Sequence, residues 1–132
     1  MEIHERRAML TISINPDETL DYITGMQGTL LTLNTSQPTN LATRYVPDRL
    51  IFNQGSFSNY LAALSEQHWQ SLEELATTFL GDLSNQLVAR WICIKATAAE
   101  GSYPGLGAHD VLIEDRQPEW NNPSLLSRVE TF

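Results

Sequence analysis

Three stretches in the first half of the chain have the apolar composition or the period-of-two alternation that is typical of strands. They run from Leu10 to Ile14, from Leu30 to Leu33 and from Leu41 to Tyr45. A loop signal, Ser36 to Asn40 with Pro38 inside it, separates the second stretch from the third. We therefore predict three strands within the first 46 residues.

The period changes to that of a helix after residue 55. We predict a short helix from Ser56 to Leu64 and a longer one from Glu66 to Gln86. Apolar residues recur through the longer segment at spacings of three and four, which forms one broad apolar stripe. The stripe consists of Trp69, Leu72, Ala76, Phe79, Leu80, Leu83 and Leu87.

Two further strands are predicted after the helices. The segment from Val88 to Ile94 is apolar on both alternating faces, which is typical of a central strand that is covered on both sides. A loop from Gly101 to Gly107 leads into a final strand from His109 to Glu114. In the remaining segment Asn122 precedes Pro123, a pattern that predicts the start of one helical turn reaching Leu126.

This order of elements predicts an α+β fold in which two helices cover one face of an antiparallel sheet. A chain of 132 residues that is 42% hydrophobic can bury one core and is too short to divide comfortably into two. We therefore predict a single domain over residues 1–115, followed by a C-terminal tail over residues 116–132.

Charge and apolar run length restrict the partners and the location. The net charge of −8 disfavours nucleic acid as a partner, and Arg6-Arg7 is the only basic pair in the sequence. The apolar runs are shorter than the roughly 20 residues of a membrane helix, so no membrane partner is expected. The N-terminus lacks the apolar core of a signal peptide, and Cys93 is the single cysteine. These features predict a cytoplasmic protein.

The common catalytic motifs do not account for this sequence. No GxSxG elbow, GxGxxG turn or Walker loop occurs in it. His4, His68, His109 and Cys93 lack close ligand spacing, so no metal site is predicted. Cys93 lies among isoleucines in a predicted strand, where we expect a buried thiol with a raised pKa. His68, beside Trp69, is either a surface or interface residue or a pocket acid or base.

Several motifs between residues 35 and 96 resemble one known family. They are the loop Thr35-Ser36-Gln37-Pro38, the strand end Arg44-Tyr45-Val46-Pro47-Asp48, the segment from Asn53 to Leu61, and Gly81-Asp82-Leu83 followed by Arg90-Trp91-Ile92. Together with the predicted order of strands, two helices and strands on one sheet, they resemble the tunneling-fold (T-fold) superfamily, whose order of elements is ββααββ. The closest similarity is to the 7-cyano-7-deazaguanine reductases, the nitrile reductases of queuosine biosynthesis.

The resemblance implies a ligand, a site and an assembly. Family members bind a planar purine-like or pterin-like ring at subunit interfaces, and a glutamate on the second helix pairs with the ring. Glu73 occupies that position. A carboxylate accepts two parallel hydrogen bonds, which suits a guanine-like edge. The resemblance also implies a homo-oligomeric barrel. The other candidate ligand-binding residues are Ser56, Phe57, Tyr60 and His68.

Two catalytic positions of the family are not preserved. Thr32 stands where the family has its nucleophilic cysteine, and Thr39 stands where it has an aspartate. A threonine hydroxyl lacks the nucleophilicity of a thiolate. An alternative alignment that uses Thr24-Gly25 as the loop does not supply a cysteine either.

We therefore expect heterocycle binding without nitrile reduction. No cofactor is expected unless reductase activity is retained, in which case NADPH is implied. Two alternatives stay open. The chain is a non-enzymatic T-fold assembly or interaction protein, or it is one half of a two-chain reductase that is completed by a second T-fold chain.

Overall fold

The computed structural model describes residues 1–31, 37–102 and 104–129. The fold is α+β, as the sequence predicts. Four strands form an antiparallel sheet in the order β2-β3-β5-β6, and β1 and β4 form a separate antiparallel pair. The elements are α1 (Ile3–Ala8), β1 (Ile12–Ile14), β2 (Thr24–Leu30), β3 (Thr39–Val46), β4 (Leu50–Phe52), α2 (Gln54–Ser65), α3 (Leu72–Leu87), β5 (Trp91–Ala98), β6 (His109–Arg116) and α4 (Pro123–Leu126).

The longer of the two predicted helices starts later than its apolar pattern suggests. The hydroxyl of Ser71 accepts a hydrogen bond from the backbone N–H of Glu74, and the Glu74 carboxylate accepts one from the backbone N–H of Gln70. This reciprocal cap fixes the first helical residue at Leu72. The predicted start at Glu66 is therefore wrong, because the side chains of the cap decide where the helix begins.

The predicted apolar stripe of α3 is confirmed as its buried face. α3 packs against β5 and β6, and α2 packs against β2, so both helices cover the same face of the sheet. Trp69 precedes the helix but is still buried, and its indole N–H donates to the carbonyl oxygen of Leu64 at 2.9 Å. No helix in the described ranges has both the length and the apolar character that a membrane crossing needs.

The second strand lies earlier in the chain than predicted. β2 pairs with β3 from Thr24, opposite Tyr45, to Leu30, opposite Thr39. The predicted strand from Leu30 to Leu33 therefore overlaps β2 only at its last residue, and Leu33 lies outside the described residues. The Thr24-Gly25 pair, which the alternative alignment treats as a loop, starts the strand instead. Two glycines and a glutamine weaken the apolar pattern of β2, and only the pairing with β3 defines it.

The first predicted strand is present but is not half-buried. β1 covers Ile12–Ile14 and is bonded only to β4 within the described part of the chain. Ile12 and Ile14 are both exposed, and Ile14 retains 80% of its accessible surface. Leu10, which precedes the strand, is buried in the main core. The alternation predicted the strand correctly but not its environment, because a two-stranded ribbon offers little surface for packing.

The predicted central strand is confirmed, although it begins three residues later. β5 lies between β3 and β6, and most of its residues are buried. Val88, which the alternation placed in this strand, instead ends α3 in the left-handed conformation with φ of 50°. Its side chain is exposed.

The segment after β6 covers part of the second face of the sheet. Trp120, Leu125, Leu126 and Val129 pack against Val46, Trp91 and Cys93. Asn122 caps α4 as predicted, because its side-chain oxygen accepts from the backbone N–H of Leu125 at 3.1 Å. Asp21 fixes the same segment by accepting hydrogen bonds from Trp120 and Asn122 at 3.1 and 3.0 Å.

Gly25 provides a test of how closely β2 approaches β3. A Cβ atom at this position would overlap the carbonyl oxygen of Thr43, and it would lie 3.0 Å from Cγ of Arg44. Because a backbone oxygen cannot move aside cheaply, we expect Gly25→Ala to lower the free energy of unfolding by about 1–3 kcal/mol. Urea unfolding measures this change. In the control Gly107→Ala, a Cβ would have no neighbour within 4 Å. Equal stability of the two variants would contradict the predicted overlap.

Candidate functional site

Glu73 presents its carboxylate at the start of α3. Its side chain is 62% exposed, and Oε1 lies 3.2 Å from Nε2 of His109. The hydrogen bond with His109 lowers the pKa of the Glu73 carboxyl below its usual value. The position in the first turn of a helix also favours negative charge. Glu73 is therefore an ionised and accessible hydrogen-bond acceptor.

The Glu73–His109 pair lies at one edge of the sheet. His109 is the first residue of β6, where it is paired with Ala98 of β5. The opposite side of β6 faces no other strand of the described chain. The carboxylate consequently lies beside a strand edge that can accept a further strand or a partner.

Two of the candidate ligand residues on α2 have internal hydrogen-bond partners. Ser56 Oγ accepts from the backbone N–H of Thr11 at 3.0 Å and donates to the carbonyl oxygen of Asn53 at 2.7 Å. Tyr60 is fully buried, and its hydroxyl donates to Oδ2 of Asp82 at 2.6 Å. Both side chains thus hold α2 in place within one copy of the chain.

Phe57 packs in the core and also lines an open cleft. Its ring is mostly buried and lies 6.1 Å, centroid to centroid, from the ring of Phe79. It also lines a cleft of about 560 Å³ between β2 and α2. The cleft is bounded by apolar groups and by polar side chains that can donate or accept hydrogen bonds, namely Met26, Gln27, Gly28, Thr29, Gln54, Ser58, Leu61, Ala62 and Ser65.

The candidate residues therefore lie at opposite edges of the sheet. Phe57 lines the cleft beside β2, whereas Glu73 and His109 lie beside β6. Three strand spacings separate the two edges, which corresponds to about 14 Å. A small ring bound to Glu73 of one copy would be too far away to occupy the cleft of the same copy.

Two of the three remaining candidate positions lie in the described part of the chain. His68 is exposed in the segment between α2 and α3. Thr39 is buried in the sheet, where it pairs with Leu30 on one side and Ala98 on the other. Thr32 lies outside the described residues. Among the residues that the structure describes, no group of three His, Cys, Asp or Glu side chains converges as a metal site.

A buried charge cluster around Asp82 is the main polar feature that the sequence did not reveal. Asp82 is inaccessible and accepts from Arg6 at 2.6 and 3.0 Å, from Arg7 at 2.9 Å and from Tyr60 at 2.6 Å. Burial alone would raise the pKa of Asp82, but these hydrogen bonds outweigh it and leave the pKa lowered. The cluster joins α1 to α2 and α3. Because Asp82 is completely enclosed, its role is structural.

One signal in the sequence could have indicated the cluster. Asp82 lies three residues after Phe79 and seven after Leu75, so it falls on the apolar face of α3. A carboxylate in that position requires cationic or donor partners. Arg6 and Arg7 form the only basic pair in the sequence, but the short helix α1 that carries them was not predicted.

Cys93 has the buried environment that the sequence predicts. Burial, together with the nearby charge of Glu114, raises the pKa of its thiol to about 11. At neutral pH this cysteine is protonated and is a poor nucleophile. It therefore does not supply the nucleophilic thiol that the resemblance implies.

Comparisons with known proteins leave the family of this chain open. No protein-family model matches it. No curated protein is significantly similar to it in sequence. The resemblance to nitrile reductases therefore depends on the sequence motifs and the predicted order of elements.

Proposed function

We propose that this chain is a T-fold protein, diverged from the 7-cyano-7-deazaguanine reductases, that binds a planar purine-, deazapurine- or pterin-like heterocycle between two copies. Glu73 is the anchoring carboxylate. The observation that carries the proposal is the exposed and ionised Glu73 at the β6 edge of the sheet, held by His109. An acceptor of this kind matches the N–H donors of a guanine-like edge.

The order of the elements supports the T-fold part of the proposal. The strands of the main sheet and the two long helices occur along the chain as β2-β3-α2-α3-β5-β6, with the short strand β4 of the second pair between β3 and α2, and the sheet keeps the same order of strands. Both helices cover one face. The order of these six elements is compatible with the ββααββ arrangement that the resemblance implies.

The two sheet edges support an interface between copies. The side of β6 that faces the helices carries Val111 and Ile113, and the same side of β2 carries Met26 and Leu30. If β6 of one copy pairs with β2 of the next, this apolar layer continues across the junction. The same pairing brings Glu73 of one copy close to the β2–α2 cleft of its neighbour. A ring would then have an anchor on one side and Phe57 on the other.

Nitrile reduction is not part of the proposal. Thr32 lacks the thiolate that forms a covalent adduct with a nitrile carbon. Thr39, which stands at the position of the family's aspartate, has no carboxyl group to exchange protons and is buried in the sheet. We expect no nitrile turnover with NADPH. Turnover at a significant rate would show that another residue supplies the nucleophile.

The variant Glu73→Gln tests the anchoring role. It keeps the shape of the side chain but removes its charge and one acceptor, so we expect binding to weaken by about 10- to 100-fold. Calorimetric titration of guanine, 7-deazaguanine and pterin into the wild-type chain and the variant measures this difference. Glu119→Gln is the matched control, because Glu119 is exposed and distant in sequence from the site.

Two results would contradict the proposal. If the wild-type chain binds none of the three compounds, the heterocycle function is wrong, and an assembly role becomes the better interpretation of the free sheet edges. If Glu73→Gln binds as tightly as the Glu119→Gln control, a ligand site exists but Glu73 is not its anchor. Sedimentation velocity on the same samples shows whether copies associate.

A further inference from the structure

The contact between Glu73 and His109 has a geometry suited to holding the Glu73 carboxylate in one orientation. Glu73 is a long side chain on the surface of α3, and a free glutamate there would sample several rotamers. His109, in contrast, is fixed through its backbone, because it is paired with Ala98 at the beginning of β6. The 3.2 Å contact between Nε2 and Oε1 therefore links a flexible carboxylate to the sheet.

The contact leaves acceptor capacity on the carboxylate. His109 engages Oε1, and the backbone N–H of Glu73 itself also stabilises the ionised carboxylate. A carboxylate has about four lone-pair directions, so after these two hydrogen bonds it can still accept from a ligand. A carboxylate already held in one orientation loses less conformational entropy when it binds.

We propose that His109 is a positioning residue that holds the carboxylate of Glu73 in its ligand-accepting orientation. This inference rests on the heterocycle-binding function proposed above. His109 contributes through Glu73 and does not need to contact the ligand. The sequence motifs did not assign it a role, because 36 residues separate the two positions and only the sheet brings them together.

The test combines a binding measurement with a measurement that requires no ligand. We expect His109→Ala to weaken binding of guanine, 7-deazaguanine or pterin by about 5-fold, the size of an exposed ion-pair contribution. The pKa of the Glu73 carboxyl, followed by NMR titration of the free chain, should rise in this variant. His109→Gln retains an N–H donor and should restore most of the affinity. His4→Ala is the control, because His4 is an exposed histidine on α1.

The outcomes separate this inference from the function on which it rests. If the wild-type chain binds none of the compounds, both proposals fall. If it binds and His109→Ala binds equally well, only the role of His109 is overturned. An unchanged Glu73 pKa in His109→Ala, or a His109→Gln variant as weak as His109→Ala, would also overturn it, because the donor to Glu73 would then have no effect.

Discussion

Replacement of Asp82 by asparagine is expected to lower the free energy of unfolding by about 3–5 kcal/mol, the cost of breaking a buried ion pair by removing one partner. The carboxylate is inaccessible and accepts from Arg6, Arg7 and Tyr60. An amide has the same shape, but it lacks the charge that compensates the guanidinium groups. Arg6 would remain buried without its counter-ion.

Urea unfolding of the wild-type chain and the Asp82→Asn variant measures this difference, and Asp110→Asn is the control because Asp110 is exposed.

The difference in stability between the wild-type chain and Asp82→Asn should also depend on pH. The pKa of Asp82 is lowered in the folded state, so its stabilisation is complete above the unfolded value of about 3.9 and is lost as the pH falls through the folded value. A difference in stability that stays constant from neutral pH into strong acid would contradict the assigned charge state.

Replacement of Phe79 by alanine is expected to lower the free energy of unfolding by about 3–5 kcal/mol, which is the usual range for phenylalanine in a closed core. Phe79 is inaccessible and lies at the centre of α3. Its ring is 6.1 Å from that of Phe57 and 6.2 Å from that of Tyr60, centroid to centroid. Truncation removes the support on which both α2 rings pack.

Thermal or urea unfolding tests the Phe79→Ala prediction, and Leu112→Ala is the matched control because Leu112 is 63% exposed on the edge strand β6. We expect the control to change stability by less than about 0.5 kcal/mol. If Phe79→Ala proves as mild as the control, the α2–α3 core is not closed around this ring. Phe57 and Tyr60 would then be accessible to a ligand, contrary to their burial in the structure.

The extent to which the candidate site was predictable differs from residue to residue. Glu73 could be selected from the sequence because a resemblance indicated its position and the apolar stripe of α3 placed it at the border of the buried face. Its partner His109 could not be selected, because the contact joins a helix to a strand that follows 36 residues later. Ser56 and Tyr60 were predicted as ligand residues, and the structure shows that their hydroxyl groups have internal partners.

The sequence by itself determined the α+β class, the two central helices, the strands β3, β5 and β6, and the cap of α4, because these depend on local periodicity and on side chains a few residues apart. The tertiary structure alone decided the position of β2, the exposed environment of β1, the Asp82 cluster and the contact between Glu73 and His109. Each of these results from pairing or charge compensation between residues distant in the sequence, and such contacts leave no periodic pattern along the chain.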